Sequence, residues 1–360
     1  MNKVRHILII GGGLIGLSTA YALRSRGCKV SVMEAHDKVM QGASFSNSAM
    51  IHLSQAMPWV SVIGGEHIDP LSARHVLALA QRSKPLIAEI SERLNVNITE
   101  REVGCLQVFS TTAHWKAAQA KYDELDIAYK RQPAGGVLAD MPALYFPDDH
   151  SGDALLYGQA LARDLDKHGA EIITGKSVEL YQQNGRVKGV RLGQDIVKAD
   201  HIVLTAGAGS ASIAKTVGLS LPLMPITGFA LDYALPDDIR LPNIPVMHAE
   251  SRSCLTVFEN RFRLSGTVGQ NDAEGLREIW AGIIPSLERY LDTSIAPEWK
   301  AQRPGSLLGR PLIGRSSVPG LWLNTGHAHM GWTLCAGAAA LMADMIVDGQ
   351  TDGRFAVTTV

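Results

Sequence analysis

A glycine turn held between two short apolar runs restricts this chain more than any other feature. Residues 6–10 read His-Ile-Leu-Ile-Ile, a buried strand. Gly11-Gly12-Gly13-Leu14-Ile15-Gly16 follows at once, then a helix from Leu17 to Arg26 that Gly27 stops. A second strand, Lys29 to Met33, ends at Glu34. The pattern predicts a β–α–β unit. Gly11 permits the tight turn, Gly13 lets the backbone approach a pyrophosphate, and Gly16 lets helix and strand pack closely. The helix start offers N–H groups and the positive end of its dipole to phosphate. Glu34 can accept hydrogen bonds from ribose hydroxyls, and its charge disfavours a 2′-phosphate, so NADP fits poorly. Dinucleotide binding is the expectation, against a merely structural glycine turn. The motif alone does not separate FAD from NAD.

With 360 residues the chain exceeds what one core of about 250–300 residues organises, so two interleaved domains are expected. Apolar residues make up 46% and charged residues 19%, which excludes a disordered chain. The 34 Lys+Arg nearly balance the 35 Asp+Glu, and no basic run stands out, so nothing points to nucleic acid. Cys28, Cys105, Cys254 and Cys335 are far apart with no CxxC, as expected of reduced, mostly buried thiols in a cytoplasmic protein. The run Ile7–Leu23 is apolar enough to raise a transmembrane question, but its glycines favour strand, turn and helix. No transmembrane segment is expected. Peripheral contact with the inner face of the plasma membrane needs only a surface patch and stays open.

Along the chain, Gly42 to Ala49 is small and polar, a loop that is either plain surface or laid along the cofactor through Ser44 and Asn47. Helices are predicted over Pro70 to Leu94, Thr112–Leu125, Gly152 to Gly169 and Asp272 to Ile284. Ser177–Gln182 and Arg186–Leu192 form a hairpin through Asn184-Gly185, the preferred type I′ pair. The strand Ala199–Thr205 ends in Ala206-Gly207-Ala208-Gly209, small enough for close approach of a cofactor. From Pro222 to Gly269 strands without βα alternation, with a hairpin near Glu259-Asn260, predict a separate, mostly antiparallel sheet. Leu321–Thr325 is a final strand and Gly331–Asp348 a final helix.

Two C-terminal pieces carry further information: Arg303 to Gly314, rich in Gly and Pro, and Leu323-Asn-Thr-Gly-His327-Ala-His329-Met-Gly331-Trp332-Thr333. The second is a strand, a glycine turn and a helix start, whose N–H groups can face a flavin ring. His327 and His329 lack the third and fourth ligands of a zinc site, so no metal is expected. His329 reads as structural. Arg303 is the leading substrate candidate, because a guanidinium grips a carboxylate through two parallel hydrogen bonds; Arg263 and Arg310 are weaker ones.

These motifs together resemble the FAD-dependent D-amino-acid oxidase superfamily. Within it the likeness is greatest to the bacterial D-amino-acid dehydrogenase small subunit and related glycine, sarcosine and hydroxyproline oxidoreductases. It rests on Gly11–Gly16 with Glu34, Ser44 to Ile51, Gly152-Asp153, Ala206-Gly207, Pro225 to Gly228, Arg303 to Gly314, and above all Leu323 to His327 with Gly331-Trp332-Thr333. The resemblance implies an α/β fold, a Rossmann-type FAD-binding domain interleaved with a mostly antiparallel sheet domain. Residues 1–75, 145–220 and 305–360 are assigned to the first, 76–144 and 221–304 to the second. It implies FAD, oxidation of a small amino or imino acid by hydride transfer to flavin N5, and electron transfer to a quinone or other acceptor, with a hetero-oligomer left open. Arg303 and His327 are the catalytic candidates. The cofactor candidates are Gly11, Gly13, Leu14, Ile15, Gly16, Glu34, Ala35, Ser44, Asn47, Ala49, Met50, Val178, Ala206, Gly207, Gly309, Gly326, His327, Gly331, Trp332 and Thr333. The chain departs from the family at Leu307-Leu308, usually Pro-Asp, and at Ala49 and Ala328, usually Gly; a proline-like substrate is a consequent alternative. A glycine- or sarcosine-type oxidase using oxygen, an NAD-linked dehydrogenase and a non-catalytic flavoprotein are the competing readings.

Overall fold

The computed structural model describes residues 4–57, 71–98, 102–138, 141–267, 273–292, 295 and 297–356. Its first layer is a six-stranded sheet in the order Leu312–Arg315, Leu321–Thr325, His201–Leu204, His6–Ile10, Lys29–Met33, Glu171–Ile173. All neighbours are parallel except the first pair. Ile7, Leu8, Ile9, Ile202, Val203 and Leu204 are fully buried, as continuous apolar runs must be when both faces of a parallel sheet are covered. This order puts strands from the two ends of the chain on either side of His201–Leu204.

The helix Gly331–Val347 packs against Leu14–Ser25 and Leu71–Arg93. With its entry turn it is long and apolar enough to cross a membrane, yet it lies almost wholly inside the protein as a core helix. Small residues let its neighbours approach: a Cβ on Gly337 would stand 2.8 Å from both Leu79 O and Ser83 Cβ. Asp344 accepts from Arg26 and Arg82 and ties the three helices together.

The second layer is an eight-stranded sheet: Trp299–Ser306, Leu223–Ala234, Arg261–Thr267, Ser253–Val257, Val246–His248, Cys105–Val108, Ala143–Phe146, Lys130–Arg131. It is antiparallel but for the pair Val246–His248 and Cys105–Val108. The helix Ala273–Ile283 covers one face through the buried Trp280. The predicted hairpin is present, with Asn184 and Gly185 both left-handed (φ 51° and 71°), as a type I′ turn requires. It gains a third strand, Asp195–Lys198, that periodicity does not reveal. The four cysteines are buried and unpaired.

Two expected boundaries fall inside elements. The cut at 75/76 lies within the helix Leu71–Arg93, which belongs against the terminal helix. The cut at 304/305 lies within the strand Trp299–Ser306, where only a Gly/Pro-rich stretch was expected. Pro304 is compatible with a strand because this one is at the sheet edge, where a missing N–H breaks no ladder. Pro70, the expected helix start, is outside the described residues.

Candidate active site

Both ends of the chain and the middle sheet line one cavity of about 650 Å3. At its nucleotide end the backbone is as close as the glycines allow. Gly11 is left-handed (φ 111°), and a Cβ there would meet Thr205 O at 2.6 Å; a Cβ on Gly16 would meet Gly11 O at 1.8 Å. Gly16 is therefore needed for packing and stands behind the wall. Gly13 caps the helix Leu14–Ser25 without a side chain. Ser44 Oγ accepts from Leu14 N–H at 3.0 Å, which holds the 42–49 loop over the helix start. The buried Glu34 accepts from Gly12 N–H at 2.6 Å through Oε2, and from the His36 N–H at 2.8 Å through Oε1. Ala35 and Val178 flank it, and Ala206 and Gly207 (φ 56°) close the opposite wall after the strand His201–Leu204.

At the other end the strand Trp299–Ser306 carries Arg303, paired in register with Ile226. The guanidinium lies over Gly228, where an added Cβ would come within 2.4 Å of Nη1. Arg303 is only 9% exposed, and its Nη1 has no hydrogen-bond partner among the described residues. Burial lowers it to about 10, slightly offset by Cys254, so it stays charged at neutral pH. His327 follows the strand Leu321–Thr325; its two ring nitrogens are buried without partners, and burial lowers it to about 3. At neutral pH it is an uncharged imidazole that can donate through one nitrogen and accept through the other.

A short loop completes this end. His52 N–H donates to Thr333 Oγ1 at 3.1 Å, and Asp149 accepts from Leu53 N–H at 2.7 Å and from the Ser54 backbone and hydroxyl. Burial raises Asp149 to about 6, against the pull of those same donors. The loop sets His52 edge-on to His329, with centroids 6.1 Å apart, and offers Gln55 O to His329 Nε2 at 2.8 Å. Burial lowers His52 to about 4, with the Arg303 charge contributing. Trp332 Nε1 donates to Gly152 O at 2.9 Å, which fixes the indole in the cavity wall.

Of the expected residues, Gly11, Gly13, Leu14, Ile15, Glu34, Ala35, Ser44, Asn47, Met50, Val178, Ala206, Gly207, Arg303, His327, Gly331 and Trp332 line this cavity. Gly16, Ala49 and Thr333 support it from behind. Gly309 and Gly326 line a separate, much smaller space of about 30 Å3 beside His327. Ala49 and Ala328, where the resemblance leads one to expect glycine, both keep a left-handed backbone (φ 59° and 48°), a conformation that glycine adopts without steric cost. Of the weaker arginines, Arg263 is held by Asp232 at 2.6 and 2.8 Å, and Arg310 donates to Ala356 O. His52, Gln55, Met247, Arg252, Cys254 and Ser265 are wall residues that sequence reading missed, because no local motif marks them. His329, expected to be structural, also faces the cavity. Among the described residues no three His, Cys, Asp or Glu side chains form a metal site.

The profile of the FAD dependent oxidoreductase family, DAO, matches residues 6–345. The chain belongs to that family. This FAD-dependent oxidoreductase is 27% identical over 405 residues to a D-amino acid dehydrogenase of Cereibacter sphaeroides, covering 97% of this chain and 92% of the relative. In fold it is similar to glycine oxidase from Geobacillus kaustophilus (TM-score 0.82, 21% identity, 99% of each chain). It is also similar to iminodiacetate oxidase from Chelativorans sp. (TM-score 0.81, 23% identity, 97% and 98% of the chains). The cavity suits FAD: Gly11, where any Cβ would clash with the Thr205 backbone, and Gly13 at a helix start both line it.

Proposed function

We propose that this FAD-dependent oxidoreductase oxidises the carbon–nitrogen bond of a small amino or imino acid, a D-amino acid or a proline-like one. The observation that carries the reading is Arg303: a buried, charged guanidinium with an unpartnered Nη1, in the cavity that the nucleotide cradle opens into. An unsatisfied buried donor is expensive, and a substrate carboxylate satisfies it through two parallel bonds. FAD, when bound, supplies the acceptor for a hydride from the substrate α-carbon. Arg303 fixes where that carbon stands, and the neutral His327 offers hydrogen bonds without taking a proton at neutral pH. Hydride transfer needs no carboxylate base when the substrate amine enters unprotonated; among the described wall residues the only carboxylate, Glu34, stands at the far end. The imino product hydrolyses to a keto acid and ammonia, or persists as a cyclic imine.

The dehydrogenase relative supports electron transfer to a quinone or other acceptor rather than oxygen. We infer a cytoplasmic enzyme in peripheral contact with the inner membrane face or with a partner subunit, a reading that fits transfer of electrons to a membrane quinone. The test is anaerobic reduction of the flavin by D- and L-amino acids and prolines. Arg303→Met is expected to keep its flavin and lose at least about 100-fold in kcat/KM. Normal reduction of that variant refutes the role of Arg303, and stoichiometric peroxide in air refutes the acceptor.

A further inference from the structure

The loop that lines the cavity at Asn47 and Ser48 is held from both domains. On the nucleotide side Ser44 Oγ accepts from Leu14 N–H. On the other side the grip comes from the antiparallel sheet. Arg263, buried in the strand Arg261–Thr267, donates through Nη1 to Asn47 O at 3.0 Å. Its Nε and Nη2 both donate to the Asp232 carboxylate, at 2.6 and 2.8 Å, which fixes the plane of the guanidinium. The buried Thr256 donates through Oγ1 to the next carbonyl, Ser48 O, at 2.8 Å. Asp232, Arg263 and Thr256 are in register on three neighbouring strands and form one row across the sheet. Two residues along, the next row on the same face brings Cys254 and Ser265 to the cavity wall. The cofactor loop is thereby set one step of about 7 Å from the wall that the sheet itself supplies.

The loop needs such a hold. Ala49 is left-handed (φ 59°), which a residue other than glycine keeps only where its surroundings impose it. Its N–H donates to Asn47 Oδ1 at 2.8 Å, and its carbonyl accepts from Gly152 N–H at 2.7 Å. The Asn47–Ser48 peptide is trans, so a carbonyl drawn to Arg263 turns the Ser48 N–H the opposite way. A cationic donor on that carbonyl strengthens the dipole of the whole peptide.

We propose that Arg263 is a positioning residue for the flavin. It stands behind the wall and fixes the Asn47–Ser48 peptide against the bound cofactor, with the N–H end of the dipole toward it. Thr256 assists through the next carbonyl. A dipole so aimed favours the reduced, more electron-rich flavin, so Arg263 raises both the retention of FAD and its midpoint potential. The antiparallel sheet then contributes to cofactor binding as well as to the substrate wall, whichever amine is oxidised.

The experiment compares the wild-type holoenzyme with Arg263→Met and Thr256→Val through two readings that need no turnover. One is the rate at which FAD leaves on dilution, followed by the fluorescence of the released flavin. The other is the midpoint potential, measured by equilibration with a redox dye. In Arg263→Met, FAD is expected to leave at least about tenfold faster, and the preference for reduced over oxidised flavin to fall about tenfold, which for a two-electron couple lowers the potential by about 30 mV. Thr256→Val keeps shape and charge and removes only the bond to Ser48 O; it is expected to change both readings in the same direction by about threefold, or about 15 mV. An arginine that merely braces the sheet lowers the melting temperature and leaves the potential alone. A wild-type potential in Arg263→Met therefore overturns the proposal, and if that variant does not fold, a wild-type potential in Thr256→Val does so.

Discussion

Replacing Gly228 with alanine tests the position of Arg303 rather than its presence. The added Cβ would lie 2.4 Å from Nη1, 2.7 Å from Cζ and 2.9 Å from Nη2. Ordinary contact between such atoms begins near 3.4 Å, so the guanidinium has to move by about 1 Å. That motion is at the free end of a long side chain, so the fold absorbs it; the loss falls on substrate positioning. A misplacement of about 1 Å can cost on the order of 100-fold in rate, so kcat/KM is expected to fall 10- to 100-fold. The assay is stopped-flow anaerobic flavin reduction, with the visible spectrum and melting temperature as controls. Because the whole effect runs through Arg303, adding Gly228→Ala to Arg303→Met should cost nothing more. A single variant within about threefold of wild type, or losses that multiply in the double variant, would refute the reasoning.

Acidification should destabilise the protein. His52 and His327 are lowered in the folded state to about 4 and about 3, so below their unfolded value near 6.5 the unfolded chain binds protons first and stability is lost as pH falls. From pH 7.5 to 5.5 these two and His150, which burial also lowers to about 4, each lose a little over 1 kcal/mol, while Asp149, raised to about 6, gains protons in the folded state and returns a little under 1 kcal/mol. The net loss of about 3 kcal/mol, to which the lowered His329 adds, drops Tm by at least about 4 °C, taking about 2 cal/mol/K of unfolding entropy per residue. Differential scanning calorimetry that finds Tm level or rising over this range contradicts the burial of neutral imidazoles. Gly337→Ala forces a Cβ to within 2.8 Å of the Leu79 carbonyl, a backbone atom that cannot swing away. It is expected to cost about 1–3 kcal/mol, read as a lower denaturant midpoint, and an unchanged midpoint speaks against the packing of these helices.

What the sequence by itself determined is local. The glycine turn at Gly11–Gly16, the Asn184-Gly185 hairpin and the period of the helices depend on backbone dihedrals and on side chains within one or two turns, so they are readable in order along the chain. Arg303 was legible as a candidate through its neighbours in a motif. Its environment was not, because Gly228 acquires meaning only once the strand Leu223–Ala234 lies beside Trp299–Ser306. The edge strand was hidden by Pro304 and Gly305, which read as a loop until the sheet order puts them where no partner is needed. His52, Gln55 and Arg252 carry no local signal; a turn and a loop more than 190 residues apart set them on one cavity. Their burial, and with it their protonation and any role toward a substrate, comes from desolvation by residues distant in sequence, and only the tertiary structure decides that.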